Sequence, residues 1–317
     1  MNSKDAIISP RIVFMGTPDF AVPSLRALAA AGLKPIAVVT GPDRKRGRGQ
    51  VLTPTPVKAA ALELGIESIL EPEDVKSDSF ATDIRALQPD IMVVVAFRIL
   101  PEAVFAASRL ATFNLHGSLL PAWRGAAPIN RAIMAGATET GVTTFFLRSK
   151  VDTGAIIMKR SMDIGPNETA GEVHDRMMIM GAQVVIETTR MIIDGEAKGQ
   201  PQDDTLATPA PKIFREDCKV DWNRASEEVH NLIRAVSPIP GAVTKLEGRQ
   251  VKLYRSRLSS GTASAGTIVA VEPDLIVACG NGAIELIELQ AEGKQRLLAA
   301  DFVRGMRLEV GQQFEDV

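Results

Sequence analysis

The sequence predicts an α/β fold, with an open and mostly parallel sheet in its N-terminal part and a small β-barrel towards its C-terminal end. Two patterns indicate this organisation. Between residues 11 and 116, short apolar runs alternate with helix-like segments, as in a parallel sheet that helices cover on its faces. After residue 212 the apolar runs become shorter and alternate with glycine-containing turns, as in small antiparallel β domains.

The N-terminal elements follow one another closely. Residues 11–16 form an apolar run of strand length, and the segment 24–31 has the start and stop signals of a helix, since Pro23 precedes it and Gly32 ends it. Further apolar runs continue the pattern up to a predicted strand at 112–116. Ligands of such sheets bind beyond the carboxyl ends of central strands, so we expect the active site where this strand ends.

The rest of the chain divides into a helix, a linker and a β domain. A helix-like pattern at 168–193 closes the N-terminal domain, which we predict to comprise residues 1–198. Residues rich in Gln, Asp, Thr and Pro then predict a linker at 199–211, followed by a C-terminal domain at 212–317 that starts with a helix at 225–236. Short strands are predicted at 243–246, 250–257, 266–271, 275–278 and 284–289.

Length and composition fit a protein with two folding units. The chain has 317 residues, of which 45% are hydrophobic. It has no apolar stretch of the roughly 18 residues that a membrane span needs, and its first residues lack the features of a signal peptide. We therefore expect no membrane partner and a cytoplasmic location. Cys218 and Cys279 lie far apart, so a disulfide framework is not indicated.

Charge and histidine content argue against two kinds of site. The formal net charge of −2 disfavours broad nonspecific binding of nucleic acid, so any contact with RNA would need a local basic patch. The histidines His116, His174 and His230 are too few and too dispersed for a multi-histidine site, and we predict no metal. Because His174 and His230 lie in amphipathic helical patterns, His116 remains as the candidate base.

The segment 113–121 is the most informative part of the chain. If a strand ends there, Asn114 and His116 point to the same side, because side chains alternate along a strand. Asp152 follows a later apolar run, at another junction of strand and loop. An amide donor, a base and a carboxylate suit acyl transfer, although each residue taken singly is also an ordinary turn or polar residue.

Four motifs in the same order resemble the folate-dependent formyltransferases: Asn-x-His at 114–116, Ser-Leu-Leu-Pro at 118–121, Arg-Gly-Ala-Ala-Pro at 124–128 and Asp-Thr-Gly at 152–154. The resemblance spans nearly the whole chain. It implies a Rossmann-like catalytic domain, a C-terminal domain similar to an OB-fold, and 10-formyltetrahydrofolate as the formyl donor. It also implies that Asn114, His116 and Asp152 are catalytic.

A basic segment contains the four cations Arg44, Lys45, Arg46 and Arg48. Neighbouring glycines and prolines predict a mobile loop beside the sheet, and a solvated run of charges is the ordinary explanation for it. The resemblance implies instead that this segment is the family's insertion loop, which enters the acceptor stem of initiator tRNA. Methionyl initiator tRNA is then the formyl acceptor, and we expect the protein to act as a monomer.

The resemblance also places folate contacts at two segments. They contain Ser118, Leu119, Leu120, Pro121, Phe97 and Arg98. At Phe97 and Arg98 the sequence departs from the commoner family pattern, because the loop is shorter and carries a cation. Arg98 could contact a carbonyl or carboxylate of the folate, or form an ion pair at the surface, and the sequence leaves both open.

Other functions share some of these features. A UDP-amino-sugar formyltransferase has the same motif at 114–121 and a following small barrel, but lacks the basic segment. A glycinamide ribonucleotide formyltransferase ends after the catalytic domain. A non-enzymatic RNA-binding module would leave Asn114, His116 and Asp152 unexplained. One further set of cations is either a basic stripe or an ordinary solvated strand face: Arg249, Lys252, Arg255 and Arg257.

Overall fold

The computed structural model describes residues 10–46 and 51–317. The strands are β1 (Ile12–Gly16), β2 (Ala37–Val39), β3 (Arg44–Arg46), β4 (Val51–Thr53), β5 (Ile69–Leu70), β6 (Ile91–Val95), β7 (Ala111–His116), β8 (Glu139–Phe146), β9 (Ile156–Asp163), β10 (Ala242–Leu246), β11 (Arg249–Ser259), β12 (Ile268–Ala270), β13 (Leu275–Ala278), β14 (Ala283–Ala291), β15 (Leu297–Leu298) and β16 (Phe314–Glu315). The α-helices are α1 (Val22–Ala30), α2 (Pro56–Glu63), α3 (Asp78–Ala86), α4 (Glu102–Phe105), α5 (Pro128–Met134), α6 (Ala170–Ile193), α7 (Ser226–Ala235) and α8 (Ala299–Met306).

Contacts group the described residues into two compact units. The first unit consists of the described residues up to Arg124, together with Gly141–Met162 and Asp175–Pro209. The second unit consists of Gly125–Thr140, Asp163–His174 and Ala210–Val317. The domain limits derived from the sequence, with a linker at 199–211, stay a prediction. Across the described part of the chain, no helix is long and apolar enough to cross a membrane.

The first unit contains a sheet of order β5-β2-β1-β6-β7-β8-β9. The strands from β5 to β7 in that order pair in parallel, whereas β8 pairs antiparallel with β7. β1 and β6 are buried along their whole length, so both faces of the sheet are covered there. Burial on both faces explains their continuous apolar runs, and the predicted open, mostly parallel α/β sheet is confirmed.

Capping residues fix where two helices of the first unit begin. The hydroxyl of Thr55 accepts a hydrogen bond from the Lys58 amide at the start of α2, at 3.1 Å. The hydroxyl of Ser77 accepts one from the Phe80 amide at the start of α3, at 3.3 Å. Phe80 and Ile84 are buried, so α3 packs its apolar side into the core of this unit.

Strand β9, at the edge of the first sheet, was not predicted. Its sequence mixes apolar residues with Lys159, Arg160 and Asp163, which gives a weaker strand signal than the central strands. A close backbone approach places it beside β8: a Cβ atom at Gly141 would lie 2.2 Å from the carbonyl oxygen of Arg160. Glycine is therefore required at that point of β8.

The second unit contains an antiparallel sheet of order β12-β13-β14-β11-β10-β16, with β15 beside β14. A bridge joins Thr267, next to β12, to Gln313, next to β16, so the two ends of the sheet meet. Register shifts near Arg255 bend the long strand β11. The sheet thus curls into an antiparallel half-barrel, which confirms the predicted small OB-like β domain.

Helix α7 and the strands enclose the core of this second unit. The Trp222 indole is buried and donates a hydrogen bond to the Thr244 hydroxyl at 2.9 Å. The centres of the Trp222 and Phe314 rings lie 5.7 Å apart. The imidazole of His230 on α7 is also buried: its Nε2 lies 2.9 Å from the Pro166 carbonyl oxygen, and its Nδ1 lies 2.9 Å from the Ser256 hydroxyl. Both polar rings are therefore fully hydrogen-bonded inside an apolar core.

Candidate active site

The carboxyl end of β7 presents the two polar side chains that the sequence singles out. Leu115 packs towards helix α6, because a Cβ atom at Gly181 would lie 2.7 Å from its Cδ2 atom. Since side chains alternate along a strand, Asn114 and His116 project from the opposite face of the sheet. His116 is the last residue of β7, so this pair lies at the end of a central strand, as predicted.

Asn114 offers an unused hydrogen-bond donor. Its backbone is fixed between Val94 of β6 and Phe145 of β8. The side chain is half-buried, and its carboxamide forms no hydrogen bond with any other residue that the structure describes. A half-buried amide without a protein partner can donate to a ligand oxygen without first breaking an internal bond.

His116 is held between two groups. Its side chain is 7% exposed, and its Nε2 atom lies 2.8 Å from the carbonyl oxygen of Trp123. A carbonyl can only accept, so Nε2 carries the hydrogen and donates it. In the neutral ring, Nδ1 is therefore the atom that can accept a proton. It lies 3.7 Å from Oδ2 of Asp152, close enough for an ion pair once the ring is protonated.

Asp152 lies in the turn between β8 and β9, and its backbone conformation is unusual. Its φ of 52° is left-handed, which is uncommon for a residue with a side chain. Gly154 makes the turn possible, because a Cβ atom there would lie 1.6 Å from the carbonyl oxygen of Phe146. The tight turn brings the Asp152 carboxylate back towards His116. Two of the three predicted catalytic residues, Asn114 and His116, therefore lie at the end of β7, and the third lies in the turn after β8. The structure brings His116 and Asp152 together.

The segment after His116 is braced from within. The Ser118 hydroxyl donates to the Ala122 carbonyl at 2.6 Å. The Thr143 hydroxyl donates to the Ser118 carbonyl at 2.7 Å and accepts from the Leu120 amide at 3.0 Å. Ser118 and Leu120 are fully buried, whereas Leu119 and Pro121 are only half-buried. The first pair therefore supports the loop, and contact between this segment and folate stays a prediction.

The loop after β6 uses Arg98 for internal contacts. Its guanidinium donates to the carbonyl oxygens of Pro72 at 2.7 Å and Glu73 at 2.8 Å, and lies 5.3 Å from the ring centre of Phe97. Burial lowers the pKa of Arg98, and the positive charge of Arg44 acts in the same direction.

A cavity of about 460 Å³ lies next to the same loop but contains none of the predicted site residues. Its lining includes the acidic residues Glu71, Glu73, Asp74 and Asp83. An acidic lining disfavours anionic ligands such as the carboxylates of a folate. The chemistry therefore belongs to the end of β7 and not to this cavity.

The basic segment is not the irregular loop that the sequence predicted. Arg44, Lys45 and Arg46 form strand β3, which pairs antiparallel with β4. A hairpin of this kind satisfies the backbone hydrogen bonds within the segment, while the side chains of Arg44 and Lys45 stay exposed. Arg48 lies outside the described residues. The opposite strand exposes apolar side chains, with Val51 65% and Leu52 62% exposed.

Most cations of the set on β11 have partners. Arg255 pairs with Glu172, and Arg257 pairs with Glu285. Lys252 donates to the Pro240 carbonyl at 2.8 Å. The two ion pairs neutralise two of the four positive charges, so the ordinary strand face explains this set better than a basic stripe.

This chain joins a mostly parallel α/β sheet to a curled β half-barrel, and an amide, an imidazole and a carboxylate lie around the end of its strand β7. Such a fold and site define a group-transfer enzyme of the formyltransferase class. The profile of the family described as "Formyl transferase" matches residues 10–189, and that of "Formyl transferase, C-terminal domain" matches residues 212–307. The chain belongs to the formyl transferase family, and within it to the methionyl-tRNA formyltransferases.

Two curated relatives carry the name methionyl-tRNA formyltransferase. The protein of Chlorobium luteolum is 51% identical over 95% of this chain and 98% of its own length. The protein of Geobacter metallireducens is 46% identical over 95% of this chain and 97% of its own length. Both therefore align with the catalytic region and with the C-terminal domain of this chain.

A solved structure is similar in fold. The N-formyltransferase of Helicobacter canadensis, in complex with folinic acid and dTDP-3-aminofucose, superposes with a TM-score of 0.68 at 20% identity. The match covers 89% of this chain and 99% of that chain. At this identity the likeness shows the fold alone, and the predicted alternative of a sugar substrate receives no support from closer relatives.

Proposed function

We propose that this protein transfers a formyl group from 10-formyltetrahydrofolate to the α-amino group of methionine esterified to initiator tRNA, in the cytoplasm and as a monomer. The observation that carries the proposal is the set of side chains around the end of β7: the Asn114 carboxamide has no hydrogen-bond partner among the described residues, and His116 is held beside Asp152. The full-length similarity to methionyl-tRNA formyltransferases supports the choice of acceptor.

Asn114 stabilises the charge that develops on the formyl oxygen. As the amine attacks, this oxygen becomes negative, and the carboxamide NH₂ of Asn114 can donate a hydrogen bond to it. One such donor in a site that excludes water is typically worth about 2.7 to 4 kcal/mol in the transition state. Its lack of a partner among the described residues fits this role, because the donor is free for the substrate.

His116, supported by Asp152, accepts the proton that the attacking amine loses. The attacking nitrogen becomes positive and must lose a proton, which Nδ1 of His116 can accept because Nε2 already donates to Trp123. The bond between the formyl carbon and the folate nitrogen then breaks, the formyl oxygen returns to a carbonyl, and the same ring can give the proton to the leaving nitrogen of tetrahydrofolate. Protonation places a positive ring 3.7 Å from the Asp152 carboxylate, which stabilises the new charge. Direct attack by the amine needs no covalent enzyme intermediate, so the buried Ser118 has no role as a nucleophile.

The formyl donor, when bound, supplies a formyl group activated by its nitrogen. The residues present fit such a donor, because the half-buried amide of Asn114 forms no hydrogen bond with another described residue and can donate to the formyl oxygen. Contact through Leu119 and Pro121 is more accessible than through the fully buried Ser118 and Leu120. Arg98 supports its loop through its carbonyl contacts and lies over the ring of Phe97, so contact of either residue with the folate stays a prediction.

The hairpin of β3 and β4 is the proposed contact for the acceptor stem. Arg44, Lys45 and Arg46 on β3, together with Arg48 outside the described residues, offer positive charge to phosphates. The exposed Val51 and Leu52 on β4 add apolar surface on which bases can pack. The hairpin follows the carboxyl end of β2, which runs parallel to β1, β6 and β7 in the same sheet, and this supports a location on the side of the strand ends that carry the chemistry.

The direct test is a formylation assay with 10-formyltetrahydrofolate and either methionyl initiator tRNA or a UDP-amino sugar. We expect formylated tRNA and no formylated sugar. Replacing Asn114→Ala should lower kcat about 10²- to 10³-fold, because it removes the oxyanion donor. Asn167→Ala, at an exposed asparagine, is the matched control and should retain wild-type turnover.

The alternative functions predict different results in the same assay. Formylation of the sugar alone would keep the roles of Asn114 and His116 but replace the substrate. Absence of any turnover, with tRNA binding retained, would instead support the RNA-binding module. Either result would contradict the proposed reaction.

A further inference from the structure

Residues 200–208 form a polar segment of the first unit. This segment contacts Asp152 and Trp123, the two residues that flank the imidazole of His116. The sequence predicts this stretch as part of a linker, and most of its side chains are exposed. Gln202 is an exception, since its side chain is half-buried. Its Nε2 atom donates to the carbonyl oxygens of Asp152 at 2.9 Å and Gly154 at 2.8 Å. One amide group thus uses both of its hydrogens on the turn that carries the Asp152 carboxylate.

The other side of the Gln202 amide is fixed as well. Its Oε1 accepts from Nε of Arg124 at 3.1 Å and from an Nη atom of Arg124 at 2.7 Å. Arg124 in turn pairs with Asp204 at 2.7 Å. Every hydrogen-bonding position of the Gln202 carboxamide that faces the protein is therefore used, which sets its orientation without ambiguity between oxygen and nitrogen.

The same segment holds the partner on the opposite side of the imidazole. The Thr208 hydroxyl accepts from the amide of Trp123 at 2.8 Å, and its carbonyl accepts from the amide of Arg124 at 2.9 Å. Trp123 has a left-handed φ of 61°, and its carbonyl accepts the hydrogen bond from His116. Both groups that flank His116 therefore sit on left-handed residues, which external hydrogen bonds must hold in place.

We infer that Gln202 is a positioning residue of the formyltransferase reaction, whose amide fixes the turn of Asp152 so that the carboxylate faces Nδ1 of His116. This inference rests on the proposed function. Glutamine is suited to the position because a single side chain must donate twice to carbonyls and accept from an arginine. Loss of the two donated bonds frees the left-handed turn to relax, which moves the carboxylate away from the ring.

The test compares Gln202→Met with Gln200→Met, in the full-length protein with 10-formyltetrahydrofolate and methionyl initiator tRNA. Methionine keeps the length of the side chain and removes its hydrogen bonds. Gln200 is two residues away, exposed, and without a side-chain hydrogen bond to any described residue. We expect Gln202→Met to lower kcat at least tenfold with both KM values within twofold of wild type, and Gln200→Met to match wild type.

The split between kcat and KM separates positioning from a general structural role, because a general loss of structure would weaken binding of both substrates as well as turnover. A kcat equal to that of Gln200→Met, or an effect confined to the KM for tRNA, would each overturn the inference. If wild type itself fails to formylate tRNA, the proposed function fails first.

A second variant covers the case in which Gln202→Met does not fold. Gln202→Glu keeps the acceptor for Arg124 but cannot donate to the carbonyls of Asp152 and Gly154. The same loss of kcat without a change of KM is expected from it. A Gln202→Glu protein with wild-type kcat would overturn the inference.

Discussion

At the scale of single residues, the site depends on positions where geometry leaves no choice of side chain. Gly154 and Asp152 illustrate this in one turn: the first has no room for a Cβ atom, and the second adopts a left-handed conformation. Such features cost conformational free energy, and they persist because neighbouring hydrogen bonds hold them. Substitutions here should therefore affect stability and activity together.

Replacing Gly154→Ala should lower the free energy of unfolding by about 3 kcal/mol, as overpacking does, because the new Cβ atom would meet the Phe146 carbonyl. The Asp152 turn must shift, so we also expect a loss of formylation. Chemical denaturation and the formylation assay measure both effects. Gly305→Ala is the matched control, because this glycine, like Gly154, has no left-handed φ, but has open space where the Cβ atom would lie. Equal effects of the two substitutions would contradict the steric argument.

His230 should make stability depend on pH. Burial lowers the pKa of its imidazole from the ordinary value of 6.5, and the nearby Arg234 acts in the same direction. Below pH 6.5 the unfolded chain takes up a proton that the folded protein does not, so the free energy of unfolding falls as the pH falls, by up to about 1.4 kcal/mol per pH unit. The full contribution of His230 to the free energy of unfolding is present at pH values above the pKa of this histidine in the unfolded chain.

The variant His230→Gln should reduce the pH dependence of the free energy of unfolding between pH 6.5 and 5. Denaturation curves at several pH values measure the slope. A slope in the variant equal to that of wild type would show that another group is responsible.

At the scale of elements, the β3–β4 hairpin joins positive charge to an exposed apolar strand. Its two sides differ because β3 carries Arg44 and Lys45, whereas β4 carries Val51 and Leu52. These four side chains are exposed, so they are available for a partner. The element is therefore suited to a ligand with both phosphates and bases.

The double variant Arg44→Ala, Lys45→Ala should raise the KM for tRNA and leave the KM for the folate donor unchanged. It should also reduce the slope of log(1/KM) against log salt concentration by about 1.5, because two phosphate contacts are lost. Steady-state assays at several salt concentrations measure this. The control is Lys76→Ala, Arg85→Ala, which makes the same change of net charge at exposed positions. Equal salt slopes in the two variants would contradict a contact by the hairpin.

At the scale of the whole molecule, the elements that the sequence predicts are those with strong local patterns. β1 and β6 are recognisable because burial on both faces requires apolar runs, and α7 because its polar and apolar residues have a helical period. β9 and β3 were missed because contacts with neighbouring strands decide them, against the preference of charged residues.

The candidate site shows the same limit. Asn114 and His116 could be paired from the sequence because two residues along a strand share a face. The contact of His116 with Trp123 depends on the left-handed backbone of Trp123, which no sequence motif predicts. Gln202 was missed because it stands in a polar stretch 50 residues from the carbonyl that it holds. Hydrogen bonds over such separations leave no local pattern.

The bond from Thr208 to the Trp123 amide also bears on how the protein is made. The strand that carries His116 leaves the ribosome roughly 90 residues before the segment that braces its neighbours. At about 5 to 20 residues per second, several seconds of synthesis separate the two. A nascent chain that has completed the parallel strands therefore already displays the imidazole, but acquires an ordered surrounding for it only when residues 202–208 have emerged.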